Sequence, residues 1–156
     1  VQIETLKKTD ASVCGSAQRL CKNGITLEQT NDVIQVFPRS NIRIKLASCY
    51  TNSISHPTVC IDRWKLRQSL VYPEHEKHED YELWSSLALT EKFVNVSASL
   101  VNYRIHPGQY TNTTRYGMMI KARLNFIRSL PMVYRPLGLF FAFCGVCNGL
   151  VSRLLH

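Results

Sequence analysis

The stretch HEDYELWSSLALTEKFVNVSASLVNYRIHPG, residues 78–108, changes its apolar period midway. In its first half Tyr81, Leu83, Trp84, Leu87, Ala88 and Leu89 recur as on a helix of about three turns. Glu79 and Asp80 stand in or just before the first turn, where the helix macrodipole favours carboxylates. From Lys92 onward apolar and polar residues alternate, as in one or two strands ending at Pro107-Gly108. A helix passing into a strand in this way predicts a mixed α/β domain with one core.

The flanking segments extend that order. QIETLKK (2–8) places Ile3 and Leu6 at helical spacing, as at the end of a helix. ASVCGSAQRLCKNGITLE (11–28) has two apolar runs about Asn23-Gly24, the pattern of strands joined by a tight turn. RSNIRIKLASC (39–49) predicts a short helix with Ser40 or Asn41 as N-cap. HPTVCIDRWKLRQSLVYPE (56–74) predicts a strand around Thr58 to Ile61, then a short helix or turn carrying Trp64 and Leu66.

Beyond Gly108 the character shifts. TRYGMMIKARLNFIRSL (114–130) reads as an amphipathic helix, with Tyr116, Ile120, Leu124 and Ile127 on one face and Lys121, Asn125 and Arg128 on the other; Pro131 ends it. Residues 137–152 then run sixteen positions without a charge, short of the ~20 a spanning helix needs. A membrane-surface segment, a buried cap and the start of a span all fit this run. The expected organisation is therefore a domain over 1–112 and a basic, amphipathic and apolar helical tail over 113–156.

Composition is that of a globular protein, 45% apolar and 19% charged, and 156 residues suffice for one domain burying roughly 70% of its extended surface. The net charge of +8 is one-sided. Residues 1–91 balance eleven Lys/Arg against all eleven Asp/Glu, whereas residues 92–156 hold eight Lys/Arg and no carboxylate. Such a segment suits an anionic partner: a phosphate group, a nucleic acid or an anionic membrane surface. The opening VQIETLKKTD has neither an initiator Met nor a signal peptide, so we expect a piece of a longer, cytoplasmic protein working at the inner face of the membrane.

The six cysteines follow no disulfide framework, and Cys144-x-x-Cys147 sits in an apolar run without a second ligand pair; reduced, buried thiols are expected. Asn95-Val-Ser97 and Asn112-Thr-Thr114 fit the glycosylation sequon. In PEHEKHEDYELW (73–84), His75-Glu76-Lys77-His78 is one residue short of the spacing that puts two imidazoles on one helix face, and Lys77 adds a repelling charge. Its histidines are read as loop residues. Local physics alone would make Glu79 and Asp80 helix-capping acids.

The ordered set HPTVCIDR, Tyr72-Pro73, HEDYELW and Tyr103-Arg104-Ile105-His106 resembles the second half of family 2 inverting glycosyltransferases with the GT-A fold. That family has a segment H-x-T-(apolar)-x-R leading to a Tyr-Pro turn, then an acidic pair with Y-x-L-W opening a helix, then Y-R-x-H after a strand. QIETLKKTDASVCGSAQRLCKNG also looks like the stretch following the family's metal-binding acidic motif. The resemblance covers roughly residues 2–112. It implies a partial GT-A-like mixed sheet with flanking helices, and transfer of a sugar from a nucleotide-sugar donor to an acceptor hydroxyl with inversion. The acceptor would be a carbohydrate or a lipid-linked carrier, as in polysaccharide biosynthesis.

Inverting displacement needs a general base for the acceptor proton and cations for the departing diphosphate. By resemblance Asp80 is that base and Glu79 its neighbour. Arg104 and His106 would face the donor diphosphate or its metal, His106 being the metal-ligand candidate, and His56 is read either as lining the acceptor cleft or as a hydrogen-bonded structural histidine. Trp84 is read as core. The family's D-x-D motif is absent from these residues, so a Mn²⁺ or Mg²⁺ ion would be held mainly by residues outside this chain, which alone is expected to be inactive. Two non-enzymatic alternatives remain, a membrane-surface protein and a nucleic-acid-binding module; scattered basic residues without a recognition helix disfavour nucleic acid.

Overall fold

Residues 1–22, 33–66, 79–105 and 116–154 are described by the computed structural model of the chain. Within them a four-stranded mixed sheet is built around β1 (Val13–Lys22). Ala11 through Gln18 are all buried, a covering of both faces that the small residues Cys14, Gly15, Ser16 and Ala17 make possible. One edge of β1 pairs in parallel with β4 (Phe93–Ile105), from Val13 opposite Phe93 to Lys22 opposite Ile105. Register shifts around Ala17 absorb the extra residues of β4. The other edge is shared by β2 (Val33–Gln35), antiparallel to Gln18–Leu20, and β3 (Cys60–Ile61), antiparallel to Val13 and Cys14.

Among the described residues, the next strand of the chain to pair with β1 is thus Val33–Gln35. The expected Asn23-Gly24 turn, with the apolar run after it, lies outside the described residues.

Side chains alternate across the sheet with period two. Cys14, Val94 and Val96 pack with Leu6 of α1 (Gln2–Thr9) in a small cluster. Leu6 is buried, whereas Ile3, expected on the same apolar stripe, is exposed. Val13 and Phe93 join the large core on the opposite face. There α2 (Asn41–Tyr50), α3 (Glu79–Leu87), α4 (Tyr116–Ser129) and α5 (Arg135–Leu154) form the helical layer. Ile44, Leu66, Trp84, Phe93 and Phe126 fill its centre, each worth roughly 1.5–3 kcal/mol or more in transfer free energy.

Of the two N-cap candidates of α2, Ser40 holds the position, with extended backbone but without a capping side-chain bond, and Asn41 is the first helical residue. The Asn41 carboxamide oxygen instead accepts the Phe93 N–H at 3.0 Å, tying α2 to β4. At the other end Lys45 donates to the Ala88 carbonyl at 2.6 Å, a cation beside the C-terminal end of α3. Burial lowers the Lys45 pKa, and nearby Glu91 acts in the opposite direction.

α4 corrects its expected face. Ala122, Arg123, Phe126, Ile127 and Leu130 are buried, while Ile120 and Leu124 are exposed beside Arg128. Only Ile127 of the expected described stripe faces the core. Phe126 sets this rotation by packing on Tyr81, ring centroids 5.5 Å apart. Arg123 follows it inward and donates to the Tyr50 carbonyl, the last of α2, at 3.0 Å. All six cysteines are unbridged, three buried and three half-buried. Among the described residues no helix is long and apolar enough to cross a membrane.

Candidate functional site

α3 begins at the acidic pair, both members half-buried. The Asp80 carboxylate is held on both oxygens: Oδ1 accepts the Tyr81 N–H at 2.7 Å and Oδ2 accepts Asn52 Nδ2 at 2.9 Å. Tyr81 anchors the helix behind it. Its ring is buried on Phe126, its hydroxyl donates to the Ser48 carbonyl, and burial pushes its pKa above the ordinary tyrosine value.

The loop carrying Asn52 is itself fixed. Asn52 Oδ1 accepts the Ile54 N–H at 3.2 Å, closing an Asx-type turn. The Ser53 carbonyl accepts Asn95 Nδ2 at 3.1 Å, and Ser55 Oγ donates to Gln18 Oε1 at 2.6 Å. Thr58 Oγ1 donates to the Ser55 carbonyl at 2.8 Å and accepts the Ser16 N–H at 3.0 Å. The loop is therefore bolted to β1 and β4 at Gln18, Ser16 and Asn95. It reaches α3 twice: Asn52 meets Asp80, and the His56 ring lies 5.8 Å from the ring of Trp84, one helical turn after Asp80. Trp84 is fully buried as expected, yet its Nε1 has no hydrogen-bond partner among the described residues.

Two sequence candidates, Asp80 and His56, are thus joined through one loop and one helix. Arg104 stands on another element, exposed near the C-terminal ends of the parallel pair, level with Cys21. His106 lies outside the described residues, as do His75 to His78, the Tyr72-Pro73 turn and the Asn112 sequon. Among the described residues no three His, Cys, Asp or Glu side chains converge as a metal-binding group. The Asn95 sequon is structural: Asn95 is 2% exposed, and Nδ2 donates to the carbonyls of Pro38 and Ser53. A glycan cannot reach that nitrogen in the folded chain.

Asn52, Gln18 and Thr58 were not singled out from the sequence as site residues, and Asn95 was noted only for its sequon. Short polar residues in YTNSISHPT signal only a loop, and their partners lie 28 to 42 residues away in the chain for Asp80, Ser53, Ser55 and Ser16. Set against known protein families, curated proteins and solved structures, the chain matches none.

Proposed function

We propose that residues 1–112 form the acceptor-side half of an inverting nucleotide-sugar glycosyltransferase of the GT-A type, with Asp80 as general base. The observation that carries this reading is the two-point fixation of the Asp80 carboxylate at the mouth of α3, by Tyr81 N–H and Asn52. A base that must meet an acceptor hydroxyl in one geometry benefits from such positioning. Asp80 takes the acceptor proton as the acceptor oxygen bonds to the anomeric carbon. The bond from that carbon to the diphosphate oxygen breaks with its electron pair, and the diphosphate departs.

Arg104 suits the departing diphosphate because its guanidinium is permanently charged and donates in a planar fork. Its place at the C-terminal ends of parallel strands is where open α/β sheets receive ligands. His56, in contact with Trp84, would border the acceptor, with Glu79 beside the base. His106 belongs to this reading through the resemblance alone. The expected divalent ion has no ligand set among the described residues, and no role assigned here depends on it.

A transfer assay on the full-length gene product, over a panel of nucleotide sugars, tests the reading. Asp80→Asn should keep the circular dichroism of the parent and lose roughly 100- to 10,000-fold in turnover. Activity within a few-fold of the parent would discard Asp80 as the base, and no transfer by the parent from any donor would discard the class.

A further inference from the structure

A surface helix ordinarily buries its large apolar residues and exposes small or polar ones. α5 follows that rule only in part. Gly138 and Gly145, both buried and seven residues apart, face α2 and α4. A Cβ on Gly138 would come 2.8 Å from Leu130 Cδ1 and 3.4 Å from Cys49 Sγ; on Gly145 it would come 2.8 Å from the Tyr50 carbonyl oxygen. The close approach of α5 thus uses its smallest residues. Phe141 and Ala142 pack on the core beside them, but three other large residues point away: Leu139, Phe140 and Phe143 are 55%, 59% and 68% exposed, and Met132 and Val133 in the preceding turn are 79% each. Positions 136, 139, 140 and 143 share one helical face.

This face runs into an apolar groove of about 600 Å³ between α2 and α5, walled by Leu46, Ala47, Leu137, Phe140 and Phe141. Arg43 also lines the groove, and Arg128 and Arg135 stand exposed at the α4–α5 junction. Residues 92–156, which include Arg128 and Arg135, contain no acidic side chain. That balance selects among occupants. A second copy would set cations against cations, which disfavours pairing. A surface of anionic headgroups over acyl chains matches both the arginines and the phenylalanines.

We propose that the outer face of α5, together with Met132 and Val133, seats the protein on an anionic phospholipid surface. Phe140 and Phe143 enter the boundary between headgroups and chains, and Arg43, Arg128 and Arg135 meet lipid phosphates. The helix lies in the surface plane, in keeping with the absence of a spanning helix among the described residues. This seat requires nothing of the Asp80 site, so it stands or falls separately from the transfer reaction.

The test is flotation of the 156-residue chain with phosphatidylcholine vesicles, with or without an equal part of phosphatidylglycerol, at low salt. The chain should float with the anionic vesicles, and Phe140→Ser/Phe143→Ser should lower its partitioning by about tenfold or more. Arg43→Glu/Arg128→Glu should lower it by a similar factor on anionic vesicles while leaving neutral vesicles unaffected. All four side chains are exposed, so the circular dichroism should match the parent. A second readout is Phe143→Trp, whose emission, as a difference from the parent, should shift to the blue and be quenched by brominated lipid chains. Absence of flotation with anionic vesicles, or equal flotation of the phenylalanine variant, would overturn the seat. So would a concentration-dependent dimer that Phe140→Ser/Phe143→Ser disperses without any vesicle binding, since the face would then belong to a second copy.

Discussion

Gly15 in β1 and Gly138 in α5 both stand where a side chain would collide, but the collisions differ in kind. At Gly15 a Cβ would lie 2.1 Å from Asn95 Oδ1, in the middle of the hydrogen-bonded set that fixes the loop over α3. At Gly138 it would meet the far end of Leu130, an apolar side chain that can give within the bounds set by its neighbours. The sheet region is held by directed polar contacts that have one solution. The α2–α4–α5 region is held largely by apolar contacts that have several. A site that must present a carboxylate in one orientation belongs on the first, and a face that must fit an irregular surface belongs on the second.

The largest test of this contrast is Gly15→Ala. The new methyl group forces the Asn95 carboxamide out of place, and the carbonyls of Pro38 and Ser53 lose their buried donor. Overpacking together with broken buried hydrogen bonds should cost about 3–5 kcal/mol, read as a lowered urea midpoint. A loss below about 1 kcal/mol would show that the sheet region repacks as readily as the helices.

Alkaline unfolding probes both regions together. Burial pushes the Cys14 thiol up to about 11 and the Cys49 thiol up to about 12, and holds the Tyr81 phenol above its ordinary range. The unfolded chain releases the thiol protons near 9.0, so above that pH it binds fewer protons than the folded chain. Stability should then be insensitive to these groups below pH 9 and fall as pH rises toward 11–12. Lys45 works in the opposite sense, because its lowered pKa makes the folded chain shed a proton first. Denaturant titrations between pH 8 and 11 measure the net slope. Relative to its own stability at pH 8, Cys49→Ala should lose less than the parent, and equal losses by variant and parent up to pH 11 would refute the burial of the Cys49 thiol.

The same division explains what could be read from the chain. Helix α3 and strand β4 follow from period, because Tyr81, Trp84 and Leu87 recur at helical spacing and apolar and polar residues alternate from Lys92 onward, and β1 follows from its apolar run. The rotation of α4 does not, since Ile120 and Leu124 are as apolar as Phe126 and only the fit of Phe126 on Tyr81 decides between the faces. Asp80 was legible as an acid at a helix start. Its clamp by Asn52 was not, being a contact across 28 residues made by a side chain that could serve any loop. The burial of Asn95 under Ser53 and Pro38 was not legible either, since its sequon is a local pattern that carries no sign of it.

Gly138→Ala is the smallest change and the sharpest complement to Gly15→Ala. Two terms oppose each other. An alanine in the helix gains up to about 1 kcal/mol over glycine by restricting the unfolded chain and favouring helical backbone. Against that, Leu130 must move its Cδ1 from 2.8 Å to an ordinary separation, and Cys49 Sγ at 3.4 Å leaves little slack behind the new methyl. Leu130 is buried, so its rotation is bounded by Ile127, whose Cγ1 would also stand 3.4 Å from the added group. The two terms should nearly cancel, leaving stability within about 1 kcal/mol of the parent. A loss as large as that of Gly15→Ala would mean that α5 docks as rigidly as the sheet, and the contrast between a fixed polar region and an adaptable apolar one would be lost.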